Sequence, residues 1–283
     1  MAEAFRLSGS VALVTGAASG IGSALATALA RRGCHLVLVD RDTGGLSVIA
    51  TQTEALGATT VCHTVDLTDA ASIAALPASV AERFGHLDLL VNNAGVALGG
   101  RFDETHLDDF EWVLDVNLRA VVRMCHAFLP MLTARPKAQI VNVSSLFGLI
   151  APPGQTAYCT SKFGVRGFTE SLRHEYAGTG LGVSVVHPGG VATSIARNAR
   201  NPRLSDDPDT AETQRLAAEQ GRLSFEKLLT LSPDAAAADI VRGIERRSPR
   251  IVIGKDARSA ALIQRLMPAG YWRAITRLSG NKV

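Results

Sequence analysis

Six short runs in the first two thirds of the chain are apolar and rich in β-branched residues. They are VALVTG from Val11, HLVLVD from His35, TVCHTVD from Thr60, LDLLVNN from Leu87, QIVNVSS from Gln139 and GVSVVHPG from Gly182. Longer stretches with helical spacing of apolar positions separate them, among them Ile21 to Arg32 and Leu107 to Leu132. Near the end, DAAAADIVRGI reads as a helix and PRIVIG as a last strand. Strands that are apolar throughout, rather than alternating, are covered on both faces, and the intervening helices supply the cover. The pattern therefore predicts an α/β fold: a doubly wound parallel sheet in a three-layer, Rossmann-like single domain over residues 1–283. From 194 to 230 the pattern turns polar, with Pro202 and Pro208 as breakers, and reads as an insertion acting as a mobile substrate lid.

Ligands of such sheets bind beyond the carboxyl ends of the strands. Those positions hold Gly16 to Gly22, Asp40, Asp66, Asn92 to Gly95, Ser144 and Ser145, and Pro188 to Thr193. In VTGAASGIG, the residues Gly16, Ser19, Gly20, Ile21 and Gly22 join the first strand to the first helix. Glycines let this backbone turn tightly and approach a pyrophosphate, which then rests on the amide groups and positive end of the helix. The spacing G-x-x-x-G-x-G departs from the commoner G-x-G-x-x-G fingerprint.

Asp40 closes the second strand, where a carboxylate can accept hydrogen bonds from adenosine ribose hydroxyls and would repel a 2′-phosphate. Ser19 stands where a basic side chain would help to bind that phosphate, so NAD is expected rather than NADP. Arg41 argues the other way unless it stacks on the adenine or faces solvent.

Tyr158 and Lys162, in AYCTSK, are four residues apart and share one face of a helix. A phenol that is half ionised near neutrality needs a downward shift of about 3 units, or about 4 kcal/mol. An ammonium about 4 Å away supplies roughly that at an effective dielectric near 20. The expectation is a phenol that exchanges protons at neutral pH, beside a Ser145 hydroxyl able to meet a substrate carbonyl. Ser144 is the alternative serine; strand alternation puts the two hydroxyls on opposite sides.

In their order and approximate spacing, TGAASGIG, Asp66-Leu67, NNAG, Val116-Asn117, SSLFG, YCTSK and HPGGVAT resemble the motifs of the short-chain dehydrogenase/reductase family, over roughly residues 8 to 255. The resemblance implies that Tyr158 is the general acid/base, that Lys162 lowers its pKa and binds the nicotinamide ribose, and that Ser145 orients the carbonyl. It implies that Asn117 holds a water linking the lysine to solvent, a role that can coexist with kinking the helix. Asp66 and Leu67 would contact the adenine, while Asn92, Ala94 and Gly95 would line the cofactor channel and tie neighbouring strands together, and Asn93 would be structural. Pro188 and Gly189 would form the turn under the nicotinamide, with Val191 and Thr193 on its carboxamide. The family also suggests a homodimer or homotetramer.

Composition narrows the function classes. Hydrophobic residues make up 47% and charged ones 19% of the 283, too apolar for disorder. The 29 basic against 26 acidic residues give a charge of only +3, so no strong field draws the chain to nucleic acid. Cys34, Cys62, Cys125 and Cys159 lack C-x-x-C spacing and the histidines lack ligand spacing, so no metal is expected. The first residues do not read as an export signal and no run reaches membrane-span length, which makes a cytoplasmic location the expectation.

The expected activity is interconversion of a secondary alcohol and a ketone. Leu98, Leu146, Phe147 and Ile195 near the expected pocket suggest an apolar, steroid- or lipid-like substrate. A 3-oxoacyl-thioester reductase, with Arg197, Arg200 and Arg203 on a phosphate-bearing carrier, is one alternative; a dinucleotide sensor without turnover is another. In the tail 256–283, Leu262, Ile263, Leu266, Tyr271, Trp272 and Ile275 mix with arginines. Packing on the same or another subunit is expected there, with peripheral membrane contact as the alternative.

Overall fold

The computed structural model describes residues 4–195, 197–200, 208–227 and 229–278. Seven parallel strands form one sheet: β1 (Val11–Thr15), β2 (His35–Asp40), β3 (Thr60–Thr64), β4 (Leu89–Asn92), β5 (Ala138–Val143), β6 (Leu181–Pro188) and β7 (Arg250–Ile253). Their order is β3-β2-β1-β4-β5-β6-β7, so the chain reverses direction of build between β1 and β4. That reversal opens a crevice above the two strands, because the loops that leave their carboxyl ends run to opposite sides.

Alternation along each strand sorts the core into two layers. Ala12, Val14, Leu36, Leu38, Leu89 and Val91 face α1 (Gly20–Ala30) and α8 (Pro233–Glu245), packing on Leu25, Leu29 and Ile240. Val11, Leu13, Val37, Val39 and Leu90 point the other way, onto Ile73 and Leu76 of α3 (Ala70–Phe84) and Phe128 of α5 (Ala120–Thr133). Both faces of the central strands are covered, which is why those strands read as unbroken apolar runs. The outermost strand β3 is half exposed, and there His63 and Cys62 interrupt the apolar pattern.

The expected helix over Leu107 to Leu132 is interrupted. The structure has α4 (Leu107–Leu114), a π-helical turn at Asp115–Arg119, and then α5. The side chain of the fully buried Asn117 accepts from Val96 N (2.8 Å) and donates to Val96 O (2.9 Å) and Ser161 Oγ (3.1 Å). Satisfying a buried amide in this way requires it to point inward, and the wider turn achieves that at the expense of helical regularity.

The polar stretch from 194 to 230 contains α7 (Pro208–Glu226), opened by the proline expected to break structure. Proline suits a first helical turn, and the run AETQRLAAEQ has high helix propensity. Pro202, Arg203, Asp206 and Asp207 lie outside the described residues, as do residues 279–283 of the tail. Both ends of the 194–230 segment meet at one place: Thr230 N and Leu231 N donate to Gly190 O, and Ala192 N donates to Leu231 O.

After β7 come α9 (Lys255–Leu266) and α10 (Tyr271–Leu278). Ala257 and Ala260 are buried, and the Tyr271 hydroxyl accepts from Ala151 N at 3.0 Å, which fastens this hairpin to its own subunit. Leu262, Leu266 and Leu278 stay exposed on its outer side. Among the described residues no helix is long and apolar enough to cross a membrane.

Candidate active site

A cavity of about 930 Å³ follows the crevice from the end of β2 to the α7 segment. Its floor begins at the glycine loop. Gly16 and Gly20 have φ of +66° and +58°, conformations that exclude most side chains. A Cβ on Gly22 would lie 1.9 Å from Gly16 O, so only glycine lets the start of α1 close against the strand end. Ser19 caps α1 without any side-chain hydrogen bond, which leaves the first-turn amides directed at the cavity. Thr15 Oγ1 accepts from Asn93 N and Ala94 N, and Asn93 Nδ2 donates to Thr15 O at 2.9 Å, locking this loop to the end of β4.

Asp40 ends β2 with its carboxylate turned to the loop, Oδ2 accepting from Ala18 N at 3.0 Å. Asp66 makes a local turn, its Oδ1 accepting from Thr68 N and Thr68 Oγ1. An uncapped helix start, glycines where any Cβ would intrude and a carboxylate one strand away together fit a nicotinamide dinucleotide.

At the opposite end, α6 (Thr156–Glu175) carries Tyr158 and Lys162 on its buried face, 9% and 3% exposed. Lys162 Nζ donates to Val143 O at 3.1 Å and lies 5.6 Å from the centroid of the Tyr158 ring. Phe147 packs edge-on against that ring at 6.1 Å. The two neighbouring serines diverge as alternation requires: Ser144 Oγ donates to Lys162 O at 2.8 Å, while Ser145 Oγ accepts from Phe147 N and is hydrogen-bonded with Tyr158.

The expected acid shift of the phenol is reversed here. Burial pushes Tyr158 up to about 12, against which the Ser145 hydrogen bond pulls downward, while the Lys162 ammonium is anchored to Val143 O. Burial also brings Lys162 down to about 8, leaving it mainly charged at neutral pH. The resting phenol is therefore a proton donor.

His187 sits wholly buried at the end of β6. Its Nδ1 donates to Ser145 O at 2.9 Å, and its Nε2 has no partner among the described residues. Burial, first, and the charges of Arg250 and Arg166 hold its pKa down at about 4, so the ring is neutral and keeps Ser145 in place. The following turn is braced from the tail: Asp256 Oδ2 accepts from Gly190 N at 2.8 Å, and its carboxylate fills the space above Gly189, where a Cβ would come within 2.2 Å.

Most residues singled out in the sequence border the cavity. Gly16, Ser19, Gly20, Ile21, Asp40 and Arg41 do so at one end, with Asp66, Leu67, Ala94 and Gly95 beside them. Ser145, Tyr158, Lys162, Pro188, Gly189, Val191 and Thr193 border it at the other. Corrections are needed at Asn92 and Leu98, neither of which borders the cavity, while Gly22 and Asn117 stand behind its lining. Asn92 does not line the channel, but its buried amide donates to Asn142 Oδ1 (2.9 Å) and Cys125 Sγ (3.3 Å) and ties β4 to β5 as expected; Asn93 has the expected structural role, bonded to Thr15, and also borders the cavity. Gly22 contributes close packing behind the lining, and Asn117 is sealed behind Gly95 and Val96. Leu98, expected at the pocket, is buried in a small core with Val113 and Ala157.

The sequence reading missed Trp112, Val116 and Asp256, all of which border the cavity. The strand-end rule, applied to β7 as to the other six, points at Gly254 to Asp256; nothing local marks Trp112.

A family model described as short chain dehydrogenase matches residues 10–204. The chain is 41% identical over 270 residues to SadH of Mycobacterium tuberculosis, covering 94% of each. It is 40% identical over 198 residues to the D-threitol dehydrogenase of Mycolicibacterium smegmatis, covering 69% of this chain and 75% of that one. A crystal structure of a short-chain dehydrogenase/reductase from Burkholderia phymatum in complex with NAD superposes with a TM-score of 0.83 at 31% identity, covering 93% of this chain and 95% of the other.

Proposed function

The chain belongs to the short-chain dehydrogenase family, and we propose that within it the protein interconverts a secondary alcohol and a ketone with NAD. The observation that carries this reading is the meeting of Ser145, Tyr158 and Lys162 at one end of a cavity whose other end holds the glycine loop and Asp40. The similar Burkholderia phymatum protein, crystallised with NAD, supports the choice of cofactor, as does the carboxylate of Asp40.

When bound, the dinucleotide supplies the ring that accepts or gives up hydride and, in its oxidised form, a positive charge. The chain's own residues would do the rest. Gly16, Gly20 and the uncapped start of α1 would take the pyrophosphate, and Asp40 the adenosine ribose. Ser145 would hydrogen-bond the substrate oxygen, and Tyr158, neutral in its buried setting, would pass its phenolic proton to that oxygen in reduction; in oxidation it would act as the phenolate, formed by prior loss of its proton to solvent, and take the proton of the alcohol. Lys162, fixed on Val143 O, would hold the sugar and keep a positive charge beside the phenol. Asn117 would act through the backbone bend that it maintains.

The substrate side is apolar. Trp112, Val116, Leu146, Phe147 and Ile195 border it, which supports an alcohol carried on a hydrocarbon frame. The carrier-linked alternative draws less support, since Arg200 is already engaged with Asp109 at 3.0 Å. The segment 194–230 would be the lid over this side.

Tyr158→Phe tests the reading. Turnover, followed as NADH absorbance, should fall by about 1,000-fold, with NAD binding measured by calorimetry unchanged within about threefold. Retention of a tenth of the activity would refute it.

A further inference from the structure

Arg200 comes from the segment that crosses the substrate end of the cavity, and it is held three ways at once, twice by its side chain and once by its main chain. The guanidinium carbon lies 3.7 Å from the centroid of the Trp112 ring, a stacking contact. Nη1 donates to Asp109 Oδ1 at 3.0 Å, and the Arg200 main chain forms a parallel bridge with Leu98. Asp109, in the first turn of α4, is 6% exposed, so its carboxylate has been largely withdrawn from water and, among the described residues, is met by Arg200.

Behind the ring lies a small core of Leu98, Val113 and Ala157, onto which Trp112 packs, and Ala157 precedes Tyr158. In front of it is the cavity, which Trp112 borders. The span from Ser194 to Arg200, which brings Ile195 and Asn198 to the cavity, is thus pinned at one end where Ala192 N bonds Leu231 O and at the other by Arg200. A planar, doubly donating cation is the group that can cover an indole and meet a carboxylate together; an ammonium can serve one of them well.

We propose that Arg200 is the positioning residue that sets substrate specificity: clamped between Trp112 and Asp109, it fixes an aromatic wall and a strap that together select secondary alcohols bearing an extended apolar chain. The proposal rests on the dehydrogenase reading of the cavity, and its test separates the two. Trp112 and Trp272 are the two tryptophans of the chain, so in a Trp272→Phe background the indole emission reports on Trp112. Arg200→Ala in that background should raise acrylamide quenching of Trp112 at least twofold, Arg200→Lys should restore part of the protection, and Asp109→Asn should resemble Arg200→Ala. With 2-alkanols from four to ten carbons, Arg200→Ala should raise KM about tenfold for the long members and about twofold for the short ones, with kcat within threefold and NAD affinity unchanged.

Unchanged quenching in Arg200→Ala overturns the clamp whatever the kinetics show. A uniform loss of kcat across the series, with KM unmoved, overturns the specificity role. If no 2-alkanol is turned over by the parent, the dehydrogenase reading with its proposed substrate class is what fails, and quenching still decides the clamp. Circular dichroism checks that each variant folds; should Arg200→Ala fail to fold, the same quenching and KM criteria apply to Arg200→Lys at reduced amplitude.

Discussion

Around the first four strands the wall of the cavity is main chain: glycines, amides at the start of α1, and strand ends cross-tied by Thr15 and Asn93. Around residues 194–200 the wall is hung from side chains, above all the guanidinium of Arg200 on Trp112 and Asp109. The first construction follows from the doubly wound sheet and leaves little to vary, whereas the second can be altered one residue at a time without disturbing the core. A scaffold divided in this way can keep one shared reactant and change the other.

The largest break in the comparison is Gly22→Ala. With a Cβ 1.9 Å from Gly16 O the loop must move, and NAD affinity should fall by about 1,000-fold, about 4 kcal/mol, in calorimetry. Quenching of Trp112 should stay at its parental value, since Arg200 and Asp109, which hold the indole, lie away from the loop. Altered quenching would mean that the two sides are one unit.

His187 sits where the sides join, and its effect is next in size. Its folded pKa of about 4 lies below the ordinary 6.5, so the unfolded chain binds the proton more readily. The corresponding stability is present above pH 6.5 and is lost as pH falls, amounting to about 3 kcal/mol by pH 4. His187→Asn can keep the donor to Ser145 O while abolishing this titration. Urea unfolding of the parent and the variant between pH 7 and 4 should converge by about that amount, and parallel curves would disprove the assignment.

The smallest effect is Asp40→Ala, in which one side chain of the main-chain wall is removed. NAD should bind about tenfold more weakly, about 1.4 kcal/mol, while NADP gains, as separate KM measurements would record. An unchanged ratio of the two would show that the carboxylate takes no part in the choice.

The sheet was readable because its inner strands are buried on both faces and therefore mainly apolar, and because the glycines and Asp40 stand at strand ends. Tyr158 and Lys162 were readable through helical spacing. What escaped detection depends on contacts between distant segments. The π turn at Asp115–Arg119 exists to satisfy the amide of Asn117 against Val96, a partner that no window around Asn117 contains. That Asn93 borders the cavity and Asn92 does not turns on which way one short strand faces at its end, a single-residue alternation. Leu98 was misplaced because hydrophobicity says that a residue seeks cover without saying whether the cover is a ligand or a core. The phenol's pKa was misjudged for a related reason: spacing aligned the ammonium with the ring, but burial, which dominates here, is a property of the whole fold.

Asp256 shows how the last part of the chain is bound to the first concerns of the site. Its carboxylate is a buckle: it closes over Gly189 and Gly190 from a helix that would otherwise be a removable strap end. Anyone shortening this protein from its carboxyl terminus would, on reaching that buckle, unfasten the shelf formed by Gly189 and Gly190.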